Sequence, residues 1–123
     1  MASRLRIILF GEADALRSLL VDLLRDSNVE AEFLEPGAGR PDVVFAVVRT
    51  GDVFGVVELA LRASRGAQVV AVMALSDPRV ALRARLAGAH AICALDGPLG
   101  ALRRTLERAL ERQALLRDAE PVR

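Results

Sequence analysis

A chain of 123 residues has room for one domain core of ordinary size and no second one. Its composition, 53% hydrophobic and 27% charged without a run of about 18 apolar residues, excludes a membrane-spanning helix. The net charge is +1 with arginines and acids interspersed, which leaves no basic face broad enough for a nucleic-acid backbone. The first apolar stretch ends at Gly11, too early for a secretory signal, so a cytoplasmic location is expected.

Residues 4–10 form an apolar run that reads as a strand. Leu16, Leu19, Leu20, Leu23 and Leu24 follow at helical spacing, with Asp22 and Arg25 on the other face. Residues 29–34 read as a second strand with Val29, Ala31 and Phe33 on one side. Pro41 and Asp42 then introduce VVFAVV, a β-branched run suited to burial on both faces, and Val53, Val56, Val57 and Leu61 continue as a helix. Residues 68–75 predict a fourth strand. Ser76, Asp77 and Pro78 supply a helix start, and Gly88 supplies a left-handed stop. Residues 89–95 give the last strand, and Asp96, Gly97 and Pro98 turn the chain into a final helix over 99–118, leaving 119–123 as a tail. Strand and helix alternate throughout, which predicts one α/β domain over 1–118. The expected architecture is a flavodoxin-like three-layer sandwich whose five-stranded parallel sheet has the order 2-1-3-4-5.

One element is missing. Residues 35–41 alone separate the second and third strands, whereas a parallel crossover normally takes a dozen or more. Seven residues reach at most about 23 Å, and the return over the first strand needs roughly 20 Å. The helix between these strands is therefore expected to be reduced to an irregular segment around Gly37 and Gly39, or the second strand to be short. Loss of a covering helix also predicts an exposed apolar patch on the first two strands.

Residue types restrict the chemistry further. All 17 basic residues are arginine, and the absence of lysine rules out a Schiff base or a phosphate-loop lysine. Cys93, the single cysteine, lies in an apolar run and reads as a buried thiol. His90, the single histidine, has no ligand-spaced partners and reads as a polar strand-edge residue. Gly11-Glu12-Ala13-Asp14-Ala15 lacks the repeated glycines of a dinucleotide loop, and a chain without Trp or Tyr offers little for a flavin to stack on. No cofactor or metal is expected, and Glu12 and Asp14 read as helix-start acids.

The order of these segments resembles the receiver domains of two-component response regulators, from Arg4 to about Arg112. Pro41-Asp42-Val43-Val44-Phe45-Ala46-Val47-Val48 looks like the phrase leading to the receiver phosphoacceptor, and Leu86-Ala87-Gly88-Ala89 like the Ala-Gly-Ala before the last strand. Residues 68–74 look like the strand that ends in a switch Thr or Ser. The resemblance implies an acidic pair for magnesium, an aspartate nucleophile, a switch hydroxyl and a lysine. In this sequence those positions fall on Gly11 and Glu12, on Val47, on Met73 and on Leu95, and the switch aromatic falls on Ile92. The expectation is a non-enzymatic pseudo-receiver that signals by binding protein partners, with no direct contact to nucleic acid or membrane. A small-molecule sensor using the crevice at the C-terminal ends of the strands is the alternative. A large pocket near Gly11, Val47 and Met73 would favour the sensor, and tight packing there the interaction module.

Leu99, Leu102, Leu106, Ala109, Gln113 and Leu116 repeat at spacings of three and four along the final helix. At about 1.5 Å per residue that helix outruns the sheet beyond Leu110, so Leu115 and Leu116 need a partner, either a second copy or a downstream output segment. Leu99, Leu102, Leu106, Leu115, Leu116 and Ile92 are the candidate homodimer interface, on the face of the fourth helix, last strand and last helix that many receivers use.

Overall fold

The computed structural model describes residues 3–11 and 14–119. Strand and helix follow one another as β1 (Ser3–Phe10), α1 (Asp14–Asp26), β2 (Val29–Phe33), β3 (Val43–Val47), α2 (Val53–Ser64), β4 (Gln68–Met73), α3 (Pro78–Ala87), β5 (Ala91–Ala94) and α4 (Gly100–Ala119). Every strand pair is parallel and the sheet order is β2-β1-β3-β4-β5, as the alternation predicts. The β-branched run fits the middle of the sheet because both of its faces are covered: Val43, Val44, Phe45 and Ala46 have no exposed surface. Alternate side chains separate into two cores. Leu5, Ile7, Phe45, Val70 and Val72 meet Leu16, Leu20 and Leu24 of α1 and Leu102 and Leu106 of α4. Ile8, Val44, Ala46, Val69 and Ala71 meet Val53, Val57 and Ala60 of α2 and Val80 and Ala84 of α3. Each large side chain so buried contributes about 1.5–3 kcal/mol before chain entropy is counted.

The ends of α3 lie where the sequence puts them. Asp77 accepts the Arg79 N–H at 2.9 Å and Pro78 follows it, while Gly88 takes a φ of 110° and donates to the carbonyls of Ala84 and Arg85. Cys93 is buried with its Sγ 3.5 Å from Thr105 Oγ1. His90 does structural work at the start of β5: its N–H donates to the Val69 carbonyl and its Nδ1 accepts the Val69 N–H, both at 2.9 Å.

Between β2 and β3 there is no helix. Residues 34–42 turn at Pro36-Gly37, where Gly37 has a φ of 87° and Ala38 donates to the Glu35 carbonyl at 2.9 Å. β2 keeps its five residues, so the connection alone is shortened. The expected apolar patch on β1 and β2 is not there, and strand parity explains why. Arg4 pairs in register with Glu30 and Arg6 with Glu32, which places four charged residues on the face that lacks a helix. Arg4 Nε lies 3.2 Å from Glu30 Oε2 there. Val29, Ala31 and Phe33 point the other way, into the core under α1, where the Arg17 guanidinium sits 4.5 Å from the Phe33 ring centroid.

The final helix starts and ends one residue later than expected. Its position on the sheet is fixed near its C-terminal end. Gln113, 9% exposed, donates from Nε2 to the Arg4 carbonyl and to Asp42 Oδ2, both at 2.8 Å. The same Asp42 oxygen accepts the Arg6 N–H at 2.8 Å, and Arg112 donates to the Gly66 carbonyl at 2.9 Å. These contacts join α4 to the N-terminal edges of β1 and β3 and to the α2–β4 turn.

Candidate functional site

In an open parallel sheet, ligands and reactive groups gather where the strands end at their C-terminal edge, near the point where strand order reverses. Here β1 and β3 are neighbours at that edge, and their ends meet. Gly11 follows β1 with a φ of 88°. A Cβ placed on it would lie 2.7 Å from the Val47 carbonyl oxygen and 3.2 Å from Val47 Cβ, so only glycine fits. Val47 closes β3 and packs with Leu95 against the core shared by α1 and α4. Met73 closes β4 at 6% exposure, and its carbonyl accepts the Leu95 N–H at 2.9 Å. Gly11, Val47, Met73 and Leu95 lie at this edge, and together they offer hydrocarbon and backbone. Glu12 lies outside the described residues. Among the described residues no three His, Cys, Asp or Glu side chains come together in a way that could hold a metal ion.

The polar chemistry at this edge lies one step further out and has no local signature in the sequence. Asp96, just after β5, accepts the Ser76 N–H through Oδ2 and the Ser76 hydroxyl through Oδ1, each at 2.9 Å. The Ser76 amide, then its hydroxyl, hold the Asp96 carboxyl below its ordinary value. The result is a two-point clip between the β4–α3 and β5–α4 connections. A cavity of about 320 Å³ lined by Val21, Arg25, Asn28, Val29, Glu30 and Ala31 lies between the end of α1 and the start of β2.

The candidate interface residues divide. Leu102 and Leu106 are core residues, 1% and 3% exposed, and are corrected here: α4 has one apolar stripe, and the sheet occupies it as far as Gln113. Ile92 is half-buried in β5 against the core under α2 and α3, Leu99 is exposed at the start of the stripe, and Leu115 and Leu116 are 68% and 58% exposed beyond its anchored part. The overrun thus starts after Gln113, one turn later than Leu110.

No family model matches the chain, and no curated protein matches it. Solved structures do. A response regulator from Thermotoga maritima superposes with a TM-score of 0.68 at 12% identity, over 90% of this chain and 99% of that one. The chemotaxis protein CheY4 of Vibrio cholerae superposes with a TM-score of 0.62 at 15% identity, over 89% and 99%. This chain has the receiver fold. NtrX from Brucella abortus, solved in complex with ADP, contains the receiver fold within a longer chain: the match covers 96% of this chain and 28% of that one, with a TM-score of 0.67 at 21% identity. No described helix is long and apolar enough to cross a membrane.

Proposed function

We propose that this chain is a pseudo-receiver, a signalling domain of receiver fold over residues 1–118 that works by protein–protein contact without accepting a phosphoryl group. One observation carries the reading: the end of β3, where the receiver resemblance puts the nucleophile, is Val47, a side chain with no atom able to attack phosphorus, and it is packed against Gly11 and the core. The chain has no lysine to answer an added charge, and Met73 stands where a hydroxyl would. A small-molecule sensor needs room at this edge, and the contact of Gly11 with Val47 and the burial of Met73 count against it.

The contact surface of this reading is a homodimer or output-domain face formed by α3, β5 and α4. Leu99, Leu115 and Leu116 are its exposed apolar residues and Ile92 its half-buried floor. The anchors at Arg112 and Gln113 hold α4 in one orientation, so the presented face is constitutive. The test is solution mass over a concentration series, with and without acetyl phosphate and magnesium. A dimer that ignores the phosphodonor and dissociates in Leu116→Arg supports the reading. A covalent mass gain, or an assembly state that follows the phosphodonor, refutes it.

A further inference from the structure

A second surface lies on the other side of the molecule from α1 and α4. The helices α2 and α3 lie side by side over one core, and their outer faces carry large apolar side chains that stay exposed among the described residues: Phe54 at 50% exposure, Leu82 at 58% and Leu86 at 70%. Leu82 and Leu86 are one turn apart on α3. Phe54 is on the α2 flank that faces α3, because Leu61, two turns later on the same flank, has its Cδ1 only 2.9 Å from where a Cβ on Gly88 would sit. Arg83 crosses the same seam to the Thr50 carbonyl at 3.4 Å.

The charge left unpaired on these two helices has one sign, because Glu58 and Arg62, the charges of α2, lie 3.0 Å apart as an ion pair. The α3 helix carries Arg79, Arg83 and Arg85, and no acid occurs between Asp77 and Asp96. Both of those acids are engaged, Asp77 by the Arg79 N–H and Asp96 by Ser76. Among the described residues the side chains of Arg79 and Arg85 have no hydrogen-bond or ion-pair partner. Such a surface, apolar along a helix and edged by unpaired guanidinium groups, complements a ligand with the opposite pattern.

We propose that the outer face of α2 and α3 docks an acidic amphipathic helix of another protein. A second copy of this chain is a poor occupant: its helices carry net charges of −1 in α1, 0 in α2, +3 in α3 and +2 in α4, so none supplies the acidic face. A nucleic-acid backbone would meet leucine at the centre of the strip where it needs cations. An anionic bilayer favours a broad plane of cations, and of the two helices only α3 supplies them, α2 being neutral. A helix lying along the strip places apolar side chains on Leu82, Leu86 and Phe54 and carboxylates beside the arginines. This inference does not depend on the homodimer or on the absence of phosphoryl chemistry.

The probe is a fluorescein-labelled synthetic helix of alternating Leu and Glu pairs, followed by anisotropy. Binding should weaken about tenfold or more in Leu82→Ser/Leu86→Ser and equally in Arg79→Glu/Arg85→Glu, and the second pair should also flatten the salt dependence. The Leu116→Arg variant should bind as the unmodified protein does, which separates this face from the dimer face. All these positions are exposed, so coincident thermal melts confirm that each variant is folded. Amide shifts on adding the peptide should concentrate in α2 and α3. The proposal is overturned if the acidic peptide fails to bind, if either substituted pair binds it undiminished, if its lysine counterpart binds as well, or if phosphatidylglycerol vesicles or duplex DNA bind more tightly.

Discussion

Replacing Gln113 by methionine keeps the shape of a nearly buried side chain and removes both of its donated hydrogen bonds. The bond to the Arg4 carbonyl is neutral and contributes about 0.5–1.5 kcal/mol, and the one to the Asp42 carboxylate about 1.5–3 kcal/mol. Asp42 keeps the Arg6 N–H, so its carboxylate is not orphaned, and the loss should settle near about 2–3 kcal/mol. For a chain of this size each kcal/mol moves the melting temperature by roughly 3–5 °C, so Gln113→Met should melt roughly 6–15 °C lower. Far-UV circular dichroism is the assay, because a chain without Trp or Tyr has no useful intrinsic fluorescence. In a double-mutant cycle with Asp42→Asn the coupling should be at least about 0.5 kcal/mol. If Gln113→Met melts within about 1 °C of the parent and shows no coupling to Asp42, the junction is not what positions α4.

Removal of the imidazole in His90→Ala leaves the buried Val69 N–H without its acceptor, which should cost about 1–3 kcal/mol and speed hydrogen exchange at that amide. Unchanged exchange at Val69 would contradict that role. Gly11→Ala forces a Cβ to within 2.7 Å of the Val47 carbonyl oxygen at a positive φ, and should cost about 1–3 kcal/mol by urea denaturation. A stable Gly11→Ala would mean that the two strand ends are further apart than described. The Asp96 clip should depend on pH in one direction only. Its folded pKa is depressed, so its contribution is complete above about pH 4, the unfolded value, and fades as pH falls through the lower folded value. The Ser76 amide shift should therefore hold steady from neutrality to about pH 4 and move only below it; a midpoint above that pH would contradict the clip.

Much of the fold was legible because its signals are local. The run from Val43 to Val48 can only be a strand covered on both faces, and Asp77-Pro78 and Gly88 mark the ends of α3 through backbone geometry that those residues alone satisfy. The missing helix was legible from chain length, a limit that no tertiary contact can relax. The charge on the uncovered face was written in the sequence as Arg4, Arg6, Glu30 and Glu32, but its meaning depends on pairing register, which a single strand does not reveal. Leu102 and Leu106 were ambiguous for a different reason: one stripe at helical spacing serves a core and a partner equally well, and only the sheet beneath it decides. Gln113, polar in that stripe, was the one sign that its end is anchored. The clip between Ser76 and Asp96 spans 20 residues of chain and leaves no local trace.

The short connection between β2 and β3 also bears on how the chain folds. It runs through residues 34–42, whereas the other three strand-to-strand connections run through 11–28, 48–67 and 74–90, each about twice as long. Halving a loop lowers the entropy of closing it by about 0.6 kcal/mol, and contacts that are closer in sequence form sooner. The pairing that the short connection serves, β1 with β3, is still the most distant in sequence, Ile7 with Val43, against Val43 with Gln68 and Val70 with Ala91 in the other half of the sheet. Omitting a helix removes part of one layer of the sandwich, and it also shortens the longest search the chain has to make, the one that brings β3 beside β1.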